Sequence, residues 1–149
     1  MIFVDTNIFY NFLFETELSP RAKEIIEMPY ELVTSFTVLD ELVYVVIRKL
    51  AEKRYGIKSS FDLRKFISEK GYEPFKEDLK IIFELFDERG ITILPDYQEV
   101  SEWREVMKKY KLLPNDALIA ITCRHYGIKT IATFDEDFKR VKFLKKVVP

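Results

Sequence analysis

Four acidic residues stand where a chain of alternating strands and helices would carry chemistry. Asp5 directly follows the apolar run Ile2-Phe3-Val4, and Asp135 follows Thr130-Ile131-Ala132-Thr133 by two residues. Glu41 lies within the longest apolar helical pattern, and Asp116 heads the run Ala117-Leu118-Ile119-Ala120-Ile121. Each has an ordinary explanation. Asp5, Asn115 or Asp116 can cap the helix that follows. Glu41, like its neighbour Asp40, can be a solvated boundary acid, and Asp135 can belong to a turn. Yet Glu41 shares its helix side with Thr37, Val38 and Val45, where a carboxylate is costly to bury without a counter-charge. Brought to one spot, four carboxylates repel, and their pKa values rise unless cations neutralise them. Oxygen donors without a Cys/His cluster favour Mg²⁺ or Mn²⁺ over zinc. Such ions suit phosphodiester hydrolysis, because they lower the pKa of a water and stabilise a leaving oxygen.

The elements that must position these acids are legible as hydrophobic patterns. Strands are expected at Ile2-Phe3-Val4, Leu32-Val33-Thr34, Ile91 to Leu94 and Lys129 to Thr133, with a short edge strand at Lys146-Val147-Val148. Helices are expected from Ile8 onward, from an N-cap at Ser19 through Met28, over 36–54, 59–70, 75–89 and 98–110, and from Ala117 to Tyr126. The 36–54 helix presents Val38, Leu39, Leu42, Val45, Val46 and Leu50 as its apolar face. Short β-branched strands alternating with helices indicate an α/β domain with a mainly parallel sheet. Ligands of such sheets sit beyond the carboxyl ends of the strands, where Asp5 and Asp135 fall.

The chain has 149 residues and no Gly/Pro/Ser-rich divider, so a single domain over 1–149 is expected. At 48% hydrophobic and 33% charged residues it is not a disordered chain. The net charge of −1 argues at first against a nucleic-acid partner. The total hides a split, because residues 104–149 carry 11 Lys and Arg against 5 Asp and Glu. The N-terminal segment lacks a basic stretch, no uncharged run is long enough for a membrane helix, and Cys123 is the only cysteine. A cytoplasmic protein without membrane association is expected. Cys123 is read as a small packed residue and His125 as a surface residue rather than a catalyst.

Val4-Asp5-Thr6-Asn7, Ser35-Phe36-Thr37-Val38-Leu39-Asp40-Glu41-Leu42, Pro114-Asn115-Asp116-Ala117-Leu118-Ile119-Ala120 and Ala132-Thr133-Phe134-Asp135-Glu136-Asp137-Phe138 occur in this order. Together they resemble the PIN-domain ribonucleases found as toxins of VapBC-type toxin–antitoxin pairs. The resemblance implies a parallel sheet flanked by helices and a metal site on Asp5, Glu41, Asp116 and Asp135. Asn7 and Thr133 support that site, and Asp137 is a further candidate ligand. It also implies Mg²⁺ or Mn²⁺, endonucleolytic cleavage of single-stranded RNA, a cognate antitoxin protein and a homodimer. One departure is the long stretch between Glu41 and Asp116, with an extended helical insertion around residues 55–80.

RNA has to be held beside the acids. Lys108, Lys109, Lys111, Lys139, Arg140 and Lys142 flank the Asp116 and Asp135 motifs and are candidates for phosphate contact, although each singly reads as a solvated charge. Two other readings compete. One is an RNA-processing or regulatory PIN-like module with little catalysis of its own. The other is a haloacid-dehalogenase-type phosphatase, which would need an acid where Asn7 stands.

Overall fold

The side chains of Ile2, Phe3 and Val4 are all buried in β1 (Ile2–Val4). A run that is apolar at consecutive rather than alternate positions suits a strand covered on both faces. β2 (Leu32–Ser35) and β4 (Thr130–Ala132) lie on either side of β1, with Phe3 opposite Val33 in one and Ile131 in the other. β3 (Thr92–Leu94) extends the sheet beyond β2, and β5 (Lys145–Val147) extends it beyond β4. This computed structural model describes residues 1–147, and its strand order is β3-β2-β1-β4-β5 with every pairing parallel. The expected α/β class with a parallel sheet is met. Val148, expected in the last strand, lies outside the described residues.

The chain runs outward from β1 through β2 to β3 and then returns to build β4 on the other side of β1. Connections leaving β1 and β4 therefore part in opposite directions. In open parallel sheets this reversal leaves a crevice at the carboxyl ends of the two strands.

Seven α-helices connect the strands among the described residues: α1 (Thr6–Leu13), α2 (Ser19–Glu27), α3 (Phe36–Tyr55), α4 (Ser60–Lys70), α5 (Lys76–Arg89), α6 (Val100–Tyr110) and α7 (Pro114–His125). None is long and apolar enough to cross a membrane. Three local expectations change. Ser19 is the first residue of α2 rather than its cap, and its hydroxyl donates to the Phe14 carbonyl at 2.8 Å. The core face of α3 runs through Val38, Leu42, Val46, Ile47, Leu50 and Ala51, leaving Leu39 and Val45 half-buried. α7 begins at Pro114, with Leu113 before it and no side-chain cap, so neither Asn115 nor Asp116 caps this helix.

The stretch expected as an insertion around residues 55–80 forms α4, a 3-10 turn at Glu73–Phe75 and the start of α5. It is fastened to the end of α3. Gly56 ends α3 in the left-handed conformation (φ 68°), where a Cβ would be strained. Phe75 is fully buried, with the rings of Phe66 and Tyr55 6.0 and 6.3 Å away. Arg54 of α3 makes a bidentate pair with Asp78 of α5 at 2.7 and 2.8 Å. At the far end of α5, Arg89 donates to the carbonyls of Ile26, Met28 and Tyr30, satisfying groups left open as α2 ends. Because Phe75 is buried, Phe75→Ala should destabilise the protein by about 3–5 kcal/mol. Urea denaturation measures this, and a loss below about 1 kcal/mol would mean that the insertion is not packed into the core.

Candidate functional site

Asp5 follows β1 directly, and its backbone N–H donates to the Ala132 carbonyl of β4 at 3.0 Å. The residue sits at the reversal point and is 6% exposed. Its Oδ1 accepts from the Thr6 N–H at 2.7 Å, so it does cap α1. Its Oδ2 accepts from the Thr133 hydroxyl at 2.7 Å and from Asn7 Nδ2 at 3.3 Å. The capping and site readings of Asp5 are therefore compatible, with one oxygen serving each.

Asn7 and Thr133 lock the two strand ends together. Asn7 Nδ2 donates to Thr133 Oγ1 at 3.1 Å, and Asn7 Oδ1 accepts from the Phe134 N–H at 3.0 Å. Thr133 Oγ1 also accepts from the Asp135 N–H at 3.0 Å. Asp135 in turn accepts from the Asp137 N–H at 2.8 Å, opening a 3-10 turn over Glu136–Arg140. The loop carrying Asp135 and Asp137 is thus referenced to Asp5 through one hydroxyl and one amide.

The remaining acids arrive on helices. Asp116 lies in the first turn of α7 and Glu41 in the second turn of α3, and both are half-buried. Asp5, Glu41, Asp116 and Asp135 line one cleft of about 440 Å³, together with Thr6, Asn7 and Tyr10. Asp137 adds to this set, because carboxylate oxygens of Asp116, Asp135 and Asp137 lie within 4.8 Å of one another. Among the described residues this trio is the tight group, and Asp5 and Glu41 lie outside it on the same cleft.

The electrostatics follow from crowding and burial. Desolvation raises the Asp5 carboxyl to about 6, against the lowering effect of its Thr133 and Thr6 hydrogen bonds, with Glu41 and Asp135 adding repulsion. Asp116 is raised to about 7, again first by desolvation and then by the charges of Asp5, Asp135, Glu41 and Asp137. One further group is strained. The Thr6 hydroxyl is buried in the cleft wall with no hydrogen-bond partner among the described residues. Such a group costs about 1–3 kcal/mol unless a ligand or water meets it. Sequence reading overlooked Thr6, although its place directly after Asp5 is the available signal.

The cations expected to hold RNA are distributed differently. Lys139 pairs with Glu136. Arg140 donates to Asp137 at 2.8 Å and to the carbonyls of Tyr110 and Lys111 at 2.8 and 2.6 Å, so it braces the loop against the end of α6. Lys109 lies over the Tyr110 ring, Lys108 borders a separate hollow along α6, and Lys111 and Lys142 are exposed. None of the six lines the acidic cleft, whose cations are Arg48 and Lys49 of α3. These stand seven and eight positions beyond Glu41, a same-face spacing that the sequence displays. As expected, Cys123 is fully buried and His125 is exposed, stacked on Tyr97 at 4.0 Å.

A folded-state pKa above the unfolded value means that Asp116 takes up a proton on folding between about pH 4 and pH 7. Its contribution to stability therefore falls as pH rises through that window. Asp116→Asn should melt higher than the parent in EDTA at pH 8, by roughly 2–6 °C once partial exposure is allowed for. The gap should close toward pH 4. Thermal melts of both proteins across this range decide it, and an equal or lower Tm at pH 8 would contradict the crowding.

A profile of the PIN domain matches residues 2–144 of the chain. Over 109 residues the chain is 43% identical to ribonuclease VapC2 of Methanocaldococcus jannaschii, a match covering 72% of this chain and 66% of that protein, just under two thirds of its length. Ribonuclease VapC6 of the same organism is 29% identical over 148 residues, covering 97% of this chain and 94% of the relative. Among solved structures, VapC20 of Mycobacterium tuberculosis, a sarcin-ricin loop cleaving toxin, aligns over all of both chains with TM-score 0.61 and 19% identity. VapBC2 from Rickettsia felis, solved on a DNA fragment from its promoter, gives 0.60 at 21% identity over 99% of this chain and 98% of that one. These structural likenesses bear on fold alone, but the profile spans β1 through β4 and every acid of the cleft, and the chain belongs to the PIN domain family.

Proposed function

We propose that the protein is a metal-dependent endoribonuclease that cleaves single-stranded RNA, with Asp5, Glu41, Asp116 and Asp135 as its working acids and Asp137 as a further donor. The observation that carries the reading is the gathering of Asp5, Glu41, Asp116 and Asp135 in one cleft at the sheet's reversal point, with Asp5 and Asp116 raised toward neutrality. The names of the VapC relatives supply the reaction class.

The donor set fits a hard divalent cation, Mg²⁺ or Mn²⁺. It offers carboxylate oxygens only, three of them within 4.8 Å of one another, and the buried Thr6 hydroxyl of the cleft wall has no partner among the described residues. Asp116, Asp135 and Asp137 would hold the ion, with Asp5 and Glu41 available to a second ion or to coordinated water. When bound, such an ion supplies Lewis-acid chemistry, lowering the pKa of a water and neutralising charge on the phosphate. The chain's own contribution is placement. Thr133 and Asn7 fix the Asp5 Oδ2 direction, the Asp137 N–H fixes Asp135, and Arg140 fixes Asp137. Burial of Asp5 keeps water from screening the charges that act on substrate. Asn7, where a haloacid-dehalogenase-type phosphatase needs an acid, is committed to the Thr133 and Phe134 contacts.

A toxin role with a cognate antitoxin belongs to the same reading, supported by the likeness to the VapBC2 complex. A homodimer and a cytoplasmic setting complete it.

Purified protein should cut single-stranded RNA with Mg²⁺ or Mn²⁺ and stop in excess EDTA. Asp5→Asn and Asp116→Asn should reduce cleavage to background while remaining folded. Thr133→Val, which removes the hydroxyl holding Asp5, should cost roughly 10- to 100-fold. Full activity of Asp116→Asn, or cleavage that persists in EDTA, would overturn the assignment.

A further inference from the structure

The cleft has a second chemical half. Along α3 its wall runs from Glu41 through Val45 to Arg48, Lys49 and Glu52. Arg48 is occupied, donating to the Tyr44 hydroxyl at 3.1 Å and to the Lys58 carbonyl at 2.9 Å, which holds it against the loop entering the insertion. Lys49 differs. It is half-buried in the same wall, and among the described residues no hydrogen bond or ion pair engages its ammonium. A cation left without a carboxylate partner in a cleft rich in carboxylates is not there to neutralise them. It is better placed to receive an anion that enters alongside.

We infer that Lys49 binds a phosphate of the RNA one linkage away from the scissile bond, so that α3 sets both the direction in which the strand crosses the cleft and its minimum length. The inference rests on the nuclease reading above. Lys49 stands about 12 Å beyond Glu41 along the helix axis, at ~1.5 Å rise per residue. Helix side chains lean toward the helix N-terminus, and the lysine stem is long and flexible, so its ammonium works between Glu41 and its own Cα. That offset suits a neighbouring phosphate rather than the one being cut. Arg48, already fixed, contributes a steady positive field beside it.

The test uses a short single-stranded oligoribonucleotide and two readouts. In the Asp116→Asn background, fluorescence anisotropy should show that Lys49→Ala weakens RNA binding by roughly 3- to 10-fold. The slope of log affinity against log salt should become shallower by about 0.7, the value of one single-strand phosphate. Lys49→Arg should retain most of the affinity. Oligonucleotides with one methylphosphonate linkage should bind less well when the uncharged linkage lies at a single position beside the cut, and Lys49→Ala should abolish that sensitivity. Mn²⁺ affinity of the otherwise unaltered Lys49→Ala protein, by calorimetry, should be unchanged or tighter, because a cation near the acids has been removed. Unaltered RNA binding, unaltered methylphosphonate sensitivity or weakened Mn²⁺ binding in Lys49→Ala would overturn the inference, the last by assigning Lys49 to the integrity of the acid cluster. RNA cleavage by the parent without any effect of Lys49 defeats this inference and leaves the nuclease reading intact. Lys49-dependent binding without cleavage overturns the nuclease reading and, with it, the placement beside a scissile bond, leaving a phosphate contact alone.

Discussion

The Asp5 carboxylate is buried where the sheet reverses direction, and three side-chain and backbone donors hold it there: Thr6 N–H, Thr133 Oγ1 and Asn7 Nδ2. Burial disfavours a charge at this position, and the carboxyl is raised to about 6 because desolvation outweighs the hydrogen bonds that oppose it. Much of the surrounding architecture follows from keeping that group in place. β4 must pair beside β1 so that Thr133 arrives opposite Asp5, and the Asp5 N–H must find the Ala132 carbonyl. α1 must start at Thr6 so that its first free N–H meets the other oxygen. A single carboxylate thereby joins two strands that lie more than a hundred residues apart in sequence.

Helix α3 serves the site in a different way. Its N-terminal half carries Glu41 to the cleft, its middle carries the cations Arg48 and Lys49, and its end anchors the insertion through Tyr55, Arg54 and Gly56. The Arg54–Asp78 pair is exposed and adds little stability by itself, so the burial of Phe75 is the stronger fastening. One rigid element thus links the acids to α4 and α5. The Arg48 contact with Lys58 ties the cleft wall to the same loop.

Arg140 has a structural task that residue type alone does not reveal. In sequence it belongs to a basic stretch beside an acidic motif, which suggests contact with phosphate. In the fold its guanidinium spans Asp137 and the carbonyls of Tyr110 and Lys111, so that it braces the loop carrying Asp135 and Asp137 against the end of α6. Five fixed donors suit such a bridging task better than a lysine would. Lys49 is the converse case, an unremarked residue in a long helix that tertiary structure sets in the cleft.

Much of the local architecture was legible in the sequence, because strand and helix periodicity depend on neighbours a few residues away. Ile2-Phe3-Val4 reads as a doubly covered strand, Gly56 and Gly90 end helices as their conformations require, and Asp5 and Asp135 fall at strand ends by inspection. α7 starts at Pro114, three residues before the apolar run that marks it in the sequence, because proline fits a first helical turn and Leu113 before it offers no capping side chain. Sequence by itself determined which acids lie at the ends of which elements, and hence which could meet. The order β3-β2-β1-β4-β5 decided that they do meet, by bringing β4 against β1 and opening the crevice between their continuations. It also decided which cations face them. Side-chain charges in a linear pattern carry no information about which face of the folded molecule they share, and that depends on packing between segments far apart in the chain.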